Sequence, residues 1–250
     1  MLRFALPPSL SAATQVTTIG SLRDALAAAV GGDVDVVVSR DYDALRQSLL
    51  TGAVDGALAP PVVCAQVAPH LRVPLQIVRR GQAAFASALV VLVDSTHILA
   101  PRTLRAAWVD PASLCGHVLP KAWLRGRRVA LERFFVDEQF LGCHRAALAA
   151  VIAGEADIAG VRVLPGGADL AAAIDSHLPG ASSRLRALAV TDAVPGDGVV
   201  VGQEGGPLVA ALRALPPSLL HTVFQAEGFI DAPPGAWDAL ATVTSPEFQP

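Results

Sequence analysis

The stretch that decides the fold is residues 107–116, AWVDPASLCG, in a chain of 250 residues. Apolar residues end at an Asp-Pro pair, and the serine and small residues behind it are typical of a helix start. A buried strand that passes directly into a helix is the building unit of a sheet covered by helices. This stretch therefore predicts an α/β fold.

The same alternation of apolar runs and helical patterns continues in both directions from this stretch. The patterns predict strands at 34–39, 54–59, 88–93, 106–109, 129–135, 158–164 and 185–190. They predict helices at 41–51, 115–124, 145–153, 168–176, 205–215 and 218–226. Strands that alternate with helices indicate mostly parallel sheets.

Composition excludes several classes of partner. The chain is 52% hydrophobic and 16% charged, with a net charge of -3 and 5% aromatic residues. Such a chain can bury a large core, and it offers neither a basic patch nor a stacking platform for nucleic acid. No apolar run is long enough for a bilayer, and the first residues lack the pattern of a secretory signal. Together with an odd number of cysteines, this predicts a cytoplasmic protein without membrane insertion.

Cys64, Cys115 and Cys143 each fall where a predicted strand passes into a helix. In open α/β sheets, ligands bind at the carboxyl ends of strands, against helix starts. The three thiols are therefore expected to face one cleft, although a free cysteine often serves only as a small buried hydrophobe.

Two kinds of chemistry would use these thiols. A soft metal ion, copper(I) or zinc, would be held by the set Cys64, Cys115, Cys143, His117 and His144. Alternatively, Cys115 or Cys143 is a nucleophile with a histidine as its base. Neighbours along a helix point to different sides, so the pairs Cys115–His144 and Cys143–His117 are favoured over adjacent ones.

The remaining polar residues are assigned ordinary roles. Asp110 and Ser113 are expected to cap the helix that follows them. Four histidines are placed in surface turns or helix ends, namely His70, His97, His177 and His221.

Several segments, taken in order, resemble the phosphonate-binding family of periplasmic substrate-binding proteins of ABC transporters. They are DYDAL at 41–45, GAVDGALAPP at 52–61, AWVDPASLCG at 107–116, FLGCH at 140–144, GEADIA at 154–159 and VP at 194–195. The resemblance implies a type 2 periplasmic-binding-protein-like fold with two α/β lobes and a two-strand hinge. The first lobe would comprise 1–87 and 192–250, and the second 88–191.

The resemblance also implies where a ligand would bind. In the family, a Ser-Thr-Ser-Gly-like turn and a Gly-Ser-His turn hold phosphonate oxygens. Here the two turns read SLCG at 113–116 and GCH at 142–144, so that thiols replace hydroxyls. The implied ligand-binding residues are Ser9, Pro61, Cys64, Ser113, Cys115, Gly116, Gly142, Cys143 and His144.

These observations predict a cytosolic binding protein that holds a small anion or a soft metal ion between its lobes. It would act as a sensor, a carrier or a pathway accessory. The alternative is a cysteine-dependent biosynthetic enzyme on the same fold, with Cys115, Cys143 and His144 as its catalytic residues.

Overall fold

The computed structural model describes residues 1–8, 16–96, 104–111, 113–127 and 134–243. The described chain forms two compact units. The first comprises Met1–Ala83 and Pro195–Thr242, and the second comprises Ala84–Val194 together with Val243. The limits predicted from the sequence are 1–87 with 192–250 and 88–191.

The described residues contain, in chain order, β1 (Leu2–Leu6), α1 (Val16–Val30), β2 (Val34–Val38), α2 (Tyr42–Leu50), β3 (Gly56–Ala59), α3 (Pro61–Val67), β4 (Arg72–Val78), β5 (Ala84–Leu92), β6 (Leu104–Trp108), a π-helix (Leu114–Val118), α4 (Leu119–Gly126), β7 (Phe135–Phe140), α5 (His144–Ile152), β8 (Ile158–Val163), α6 (Leu170–His177), β9 (Leu185–Val190), β10 (Val194–Pro195), β11 (Gly198–Val201), α7 (Gly206–Arg213), α8 (Pro217–Phe224), β12 (Gly228–Asp231) and α9 (Asp238–Val243).

Each unit is built on one sheet. The first sheet has the strand order β12-β4-β11-β3-β1-β2, in which β1 is parallel to β2 and β3. The second has the order β10-β5-β8-β6-β7, with β9 also on β5, and β6 is parallel to β7 and β8. The predicted α/β class is confirmed. The sheets are mixed rather than mostly parallel, because β11 and β5 run antiparallel to their neighbours.

The core of the second unit follows from the alternation of side chains along β5. Ala88 and Val90 face a cluster that includes residues of α5 and α6, whereas Leu89 and Val91 face a cluster that includes Trp108. Successive residues of a strand point to opposite faces, so an unbroken apolar run is buried on both. The first unit has a corresponding cluster built from α1, α7, α8 and its own sheet.

In both units, an aspartate just before one parallel strand is hydrogen-bonded to the main chain of the neighbouring strand. The Asp55 carboxylate accepts a hydrogen bond from the main-chain N–H of Arg3 at 2.7 Å, and Asp157 accepts one from Arg105 at 2.8 Å. Each aspartate stands 52 residues after its arginine, and a nine-residue helix precedes it in both units, α2 or α5. The two units therefore share the same local β-α-β arrangement.

Some predicted elements are corrected. The predicted strand at 129–135 is replaced by β7, which begins at Phe135, while 128–133 lie outside the described residues. Helix α3 was missed because Pro60-Pro61 was interpreted only as a strand stop. Proline is also common in the first turn of a helix, where its missing N–H is not needed. Helix α1 and strand β4 were also not predicted.

No single helix in the described ranges has the length and apolar composition needed to cross a membrane. One sharply bent pair, Gln203–Arg213 with Pro217–Phe224, meets that test on length and composition alone. Its residues Leu208, Leu212 and Phe224 are fully buried in the core of the first unit.

Candidate functional site

The turn after β6 begins with a capped π-helix instead of the single predicted helix at 115–124. Ser113 is its N-cap, and the hydroxyl oxygen of Ser113 accepts a hydrogen bond from Gly116 N at 3.1 Å. The predicted capping by Ser113 is thus confirmed, and the main-chain oxygen of Asp110 accepts from Ser113 N in the turn before the helix.

The π-helix has a local cause in Pro120. In an α-helix, the carbonyl of Gly116 would accept from the N–H of residue 120, which proline lacks. Instead, Gly116 O accepts from Val109 N at 3.4 Å, and Val118 N donates to Ser113 O at 3.0 Å, one residue further back than in an α-helix. Such wide turns are frequent at functional sites.

Strand β8 lies directly beneath this turn at Gly160. A Cβ atom at residue 160 would come within 2.6 Å of Cys115 O, and one at residue 116 within 2.4 Å of the Val109 side chain. Neither contact is possible for a real side chain. Gly116, predicted to bind ligand, is therefore required first by the packing of the turn itself.

Ser87 holds the turn from the other side. Its hydroxyl donates to Cys115 O at 2.6 Å, and its main-chain N–H donates to Thr191 Oγ1 at 3.0 Å. Both side chains are buried. Sequence analysis missed them, although Ser87 is the one hydroxyl in the otherwise apolar strand β5 and a buried polar group needs a partner.

The Cys115 thiol packs below the turn. The residue is 7% exposed, and its Sγ lies 3.9 Å from Ala86 O. The shorter contact of this residue is made by its main-chain carbonyl, which accepts the hydrogen bond from the Ser87 hydroxyl at 2.6 Å.

His117 is buried among aromatic rings. It is 3% exposed, and Trp108 and Phe140 meet its ring edge-on at 5.6 and 5.1 Å between ring centroids. Its Nδ1 lies 2.8 Å from Pro111 O, and since a carbonyl can only accept, Nδ1 carries the proton. Nε2 has no hydrogen-bond partner among the described residues. Burial lowers the pKa of His117, which keeps the ring neutral.

The second turn, which precedes α5, lies beside the first. Gly142 adopts a φ of 81°, a left-handed conformation that favours glycine. Gly142 N donates to Val109 O at 2.8 Å, so the main chain of Val109 joins both turns. Cys143 is the N-cap of α5, is exposed, and makes no side-chain hydrogen bond to the first turn of the helix.

His144 opens α5 and is fixed by strand β8. Its Nδ1 lies 3.0 Å from Gly160 O, and its ring centroid lies 4.7 Å from that of His177. Burial, with smaller effects from His177 and Arg162, lowers the pKa of His144. His177, which the sequence placed in an ordinary surface role, is therefore part of this cluster.

In both His117 and His144, Nδ1 is hydrogen-bonded to a main-chain carbonyl, and the ring contacts an aromatic or imidazole ring. These contacts orient the rings within the second unit. In each neutral ring they leave Nε2 as the nitrogen that can accept a hydrogen bond.

In the first unit, Cys64 lies inside α3 rather than at an open strand end. It has no exposed surface, and its Sγ donates to Ala59 O at 3.3 Å. Burial, with a smaller effect from Asp197, raises the pKa of the thiol, so no thiolate forms at neutral pH. The assignment of Cys64 to a ligand or metal site is therefore corrected to a packing role. Pro61 is also buried at the start of α3, and Ser9 lies outside the described residues.

The predicted metal site is not assembled. Across the part of the chain that the structure describes, no group of three or more His, Cys, Asp or Glu side chains is placed to hold a metal ion. The set predicted for copper(I) or zinc comprised Cys64, Cys115, Cys143, His117 and His144. The buried thiol of Cys64 explains why that residue does not contribute to such a group. A ligand cleft shared by the two lobes stays a prediction.

Replacing Gly160 by Ala should lower the free energy of unfolding by about 1–3 kcal/mol, because the new methyl group would collide with main-chain Cys115 O. Urea unfolding measures the change. Gly206→Ala is the matched control, because a Cβ there meets nothing within 4 Å and Gly206 lies in a helix. Equal stability of the two variants would contradict the close packing of β8 on the turn.

The stability of the protein should fall as pH drops through about 6.5, the ordinary pKa of an unfolded histidine. Burial lowers the pKa of His117 in the folded state, so the unfolded chain binds the proton more readily. His117→Phe should make this pH dependence shallower, as measured by urea unfolding between about pH 5 and 8. The exposed His221 provides the control variant His221→Phe. Identical slopes for wild type and His117→Phe would show that His117 does not titrate on unfolding.

Comparison with known proteins identifies a family that matches this chain. The family described as "ABC transporter, phosphonate, periplasmic substrate-binding protein" matches residues 4–215. No curated protein matches the sequence.

Among solved structures, XAC2383 from Xanthomonas citri bound to ATP has a TM-score of 0.77 at 17% identity, covering 97% of this chain and 96% of that chain. PhnD1 from Prochlorococcus marinus, in complex with methylphosphonate, has a TM-score of 0.66 at 19% identity, covering 97% and 96%. A phosphonate transporter binding protein from Pseudomonas aeruginosa, PA3383, has a TM-score of 0.64 at 16% identity, covering 97% and 84%.

At these identities the solved structures show the fold alone. The family match spans most of the chain and includes both turns described above. This chain therefore belongs to the phosphonate-type periplasmic substrate-binding proteins of ABC transporters.

Proposed function

We propose that this protein binds a small oxyanion at the start of α5 in its second unit, beside the π-helix turn. Membership of a solute-binding family supports a ligand-binding module. The ligands named for similar structures, methylphosphonate, ATP and chloride, are all anions. A phosphonate or phosphate group is the ligand class that best fits these neighbours and the site.

The observation that carries the proposal is the contrast between two corresponding helix starts. At α2, the Asp41 carboxylate accepts a hydrogen bond from Ala44 N at 2.7 Å, so the helix supplies its own anion. At α5, the N-cap is Cys143, whose side chain makes no such bond. The unpaired N–H groups and the positive end of the helix dipole attract an external anion there.

The thiol substitution sets the character of the site. A thiol is a weak hydrogen-bond donor, so the main-chain N–H groups of α5 would supply most of the binding. The Ser113 hydroxyl oxygen is occupied by Gly116 N, although its hydrogen remains able to donate to an anion. This arrangement favours selection by charge over selection by many side-chain hydrogen bonds.

Cys143→Asp should stabilise the protein by about 0.5–2 kcal/mol, because aspartate caps a helix as Asp41 does. The same change should weaken phosphate or methylphosphonate binding by about tenfold or more, since the new carboxylate occupies the N–H groups and repels the ligand. Isothermal titration calorimetry and urea unfolding measure the two effects.

Cys143→Ala is the matched control, because it removes the thiol without adding an anion, and it should retain binding. If neither phosphate nor methylphosphonate binds the wild-type protein at millimolar concentration, the proposed function is wrong. If Cys143→Asp binds as well as Cys143→Ala, the anion does not lie at α5.

We further propose that the protein acts in the cytosol, as a sensor, carrier or pathway accessory. The free thiols of Cys64, Cys115 and Cys143 suit a reducing compartment. Fractionation of cells that express the full gene from its own start should recover the protein with cytosolic markers. Recovery with periplasmic markers, or of a shortened mature chain, would overturn this placement and would leave the anion site untouched.

A further inference from the structure

Two imidazole rings from different helices meet at the start of α5. His144 is the first residue of α5, and His177 is the last residue of α6. Their centroids are 4.7 Å apart and their planes are inclined by 31°, a tilted arrangement. Neither the capping of α5 nor the core of the unit requires a histidine at residue 177.

The contact with strand β8 determines what the His144 ring can offer. Because Gly160 O can only accept, Nδ1 of His144 carries a proton in the neutral ring. Nε2 is then an acceptor, and it becomes a donor when the ring takes up a second proton. The neighbouring ring of His177 restricts rotation and keeps His144 in this orientation.

Cationic groups dominate the surroundings of the pair. Burial lowers the pKa of His144 most, and His177 and Arg162, on β8, lower it further. Arg145 follows His144 on α5 itself. The carboxylates of α6 and its start are engaged elsewhere, since Asp175 accepts from Ser182 and Asp169 accepts from Leu164 N. On β6, Arg105 is paired with Asp157.

We propose that His177 is a positioning residue of the anion site, and that the His144–His177 pair makes the site prefer a doubly charged oxyanion to a singly charged one. This inference rests on the proposed function, since it assigns a second imidazole to the same site. His177 acts through His144, whose ring it orients towards the bound anion.

The preference follows from charge. Two adjacent imidazoles cannot both be protonated near neutral pH without a compensating anion, because like charges at this distance repel. A bound dianion compensates this repulsion and draws a proton onto the pair, so binding and proton uptake are linked. A monoanion compensates less and gains less from the pair.

The test compares sulfate, which stays doubly charged between about pH 5.5 and 8, with nitrate as the singly charged probe, and also includes inorganic phosphate. Calorimetry in buffers of different ionisation enthalpy counts the protons taken up. Wild-type protein should bind sulfate more tightly at the acidic end, with uptake of up to about one proton. Phosphate loses its doubly charged form as the pH falls through this range, so its binding should gain less. Nitrate should bind more weakly, with less uptake.

His177→Phe keeps a ring of similar size against His144 and removes the second imidazole. It should retain the fold. The ratio of the dissociation constants for nitrate and sulfate should fall about tenfold, and the dissociation constant should depend less on pH. His177→Gln, which removes the ring, should give the same flattened profile, and the exposed His221→Phe should behave as wild type.

The possible failures are distinguishable. If no anion binds the wild-type protein, the proposed function fails and this inference fails with it. If anions bind, Cys143→Asp blocks them, and both His177 variants keep the wild-type pH profile and dianion preference, only the role of His177 is overturned.

Discussion

Gly160 is the residue on which the site in the second unit is built. The space where its side chain would be is filled by Cys115 O, and its own carbonyl accepts from His144 Nδ1. One residue of β8 thus supports the π-helix turn and the start of α5. Any side chain at this position would separate the turns from the sheet, so the site depends on close main-chain packing.

The two turns are also joined to each other through main-chain atoms. Val109 donates to Gly116 O and accepts from Gly142 N, which places both helix starts at the carboxyl end of β6. Parallel strands bring such ends to one edge of a sheet, where open α/β proteins bind their ligands. Ser87 adds a buried support from β5. The positions of the N–H groups are therefore set by the backbone, and side chains modify the proposed site.

Electrostatics distinguishes the helix starts of the two units. Asp41 neutralises the start of α2 from within the chain, whereas Cys143 leaves the start of α5 without a carboxylate. Around α5, the neighbouring groups are imidazoles and arginine. A helix start without a carboxylate of its own is suited to an anion brought from outside.

The three cysteines show why a residue type is a weak guide to chemistry. Cys64 is sealed in α3, Cys115 is packed under the π-helix turn, and Cys143 alone is exposed. Their shared position near strand ends suggested one shared function, and burial separates them. A thiol without solvent contact is held in its neutral form and behaves as a small apolar group.

The sequence by itself determined the α/β class and the order of most strands and helices, while its resemblance to a family indicated the two turns at 113–116 and 142–144. These features follow from local periodicity, proline and glycine, and they need only neighbouring residues. It did not reveal the π-helix, the support from Ser87 or the meeting of His144 with His177. Those contacts join residues far apart in the chain, so only the tertiary structure decided them. For the same reason, the burial that makes Cys64 inert could not be deduced from its neighbours.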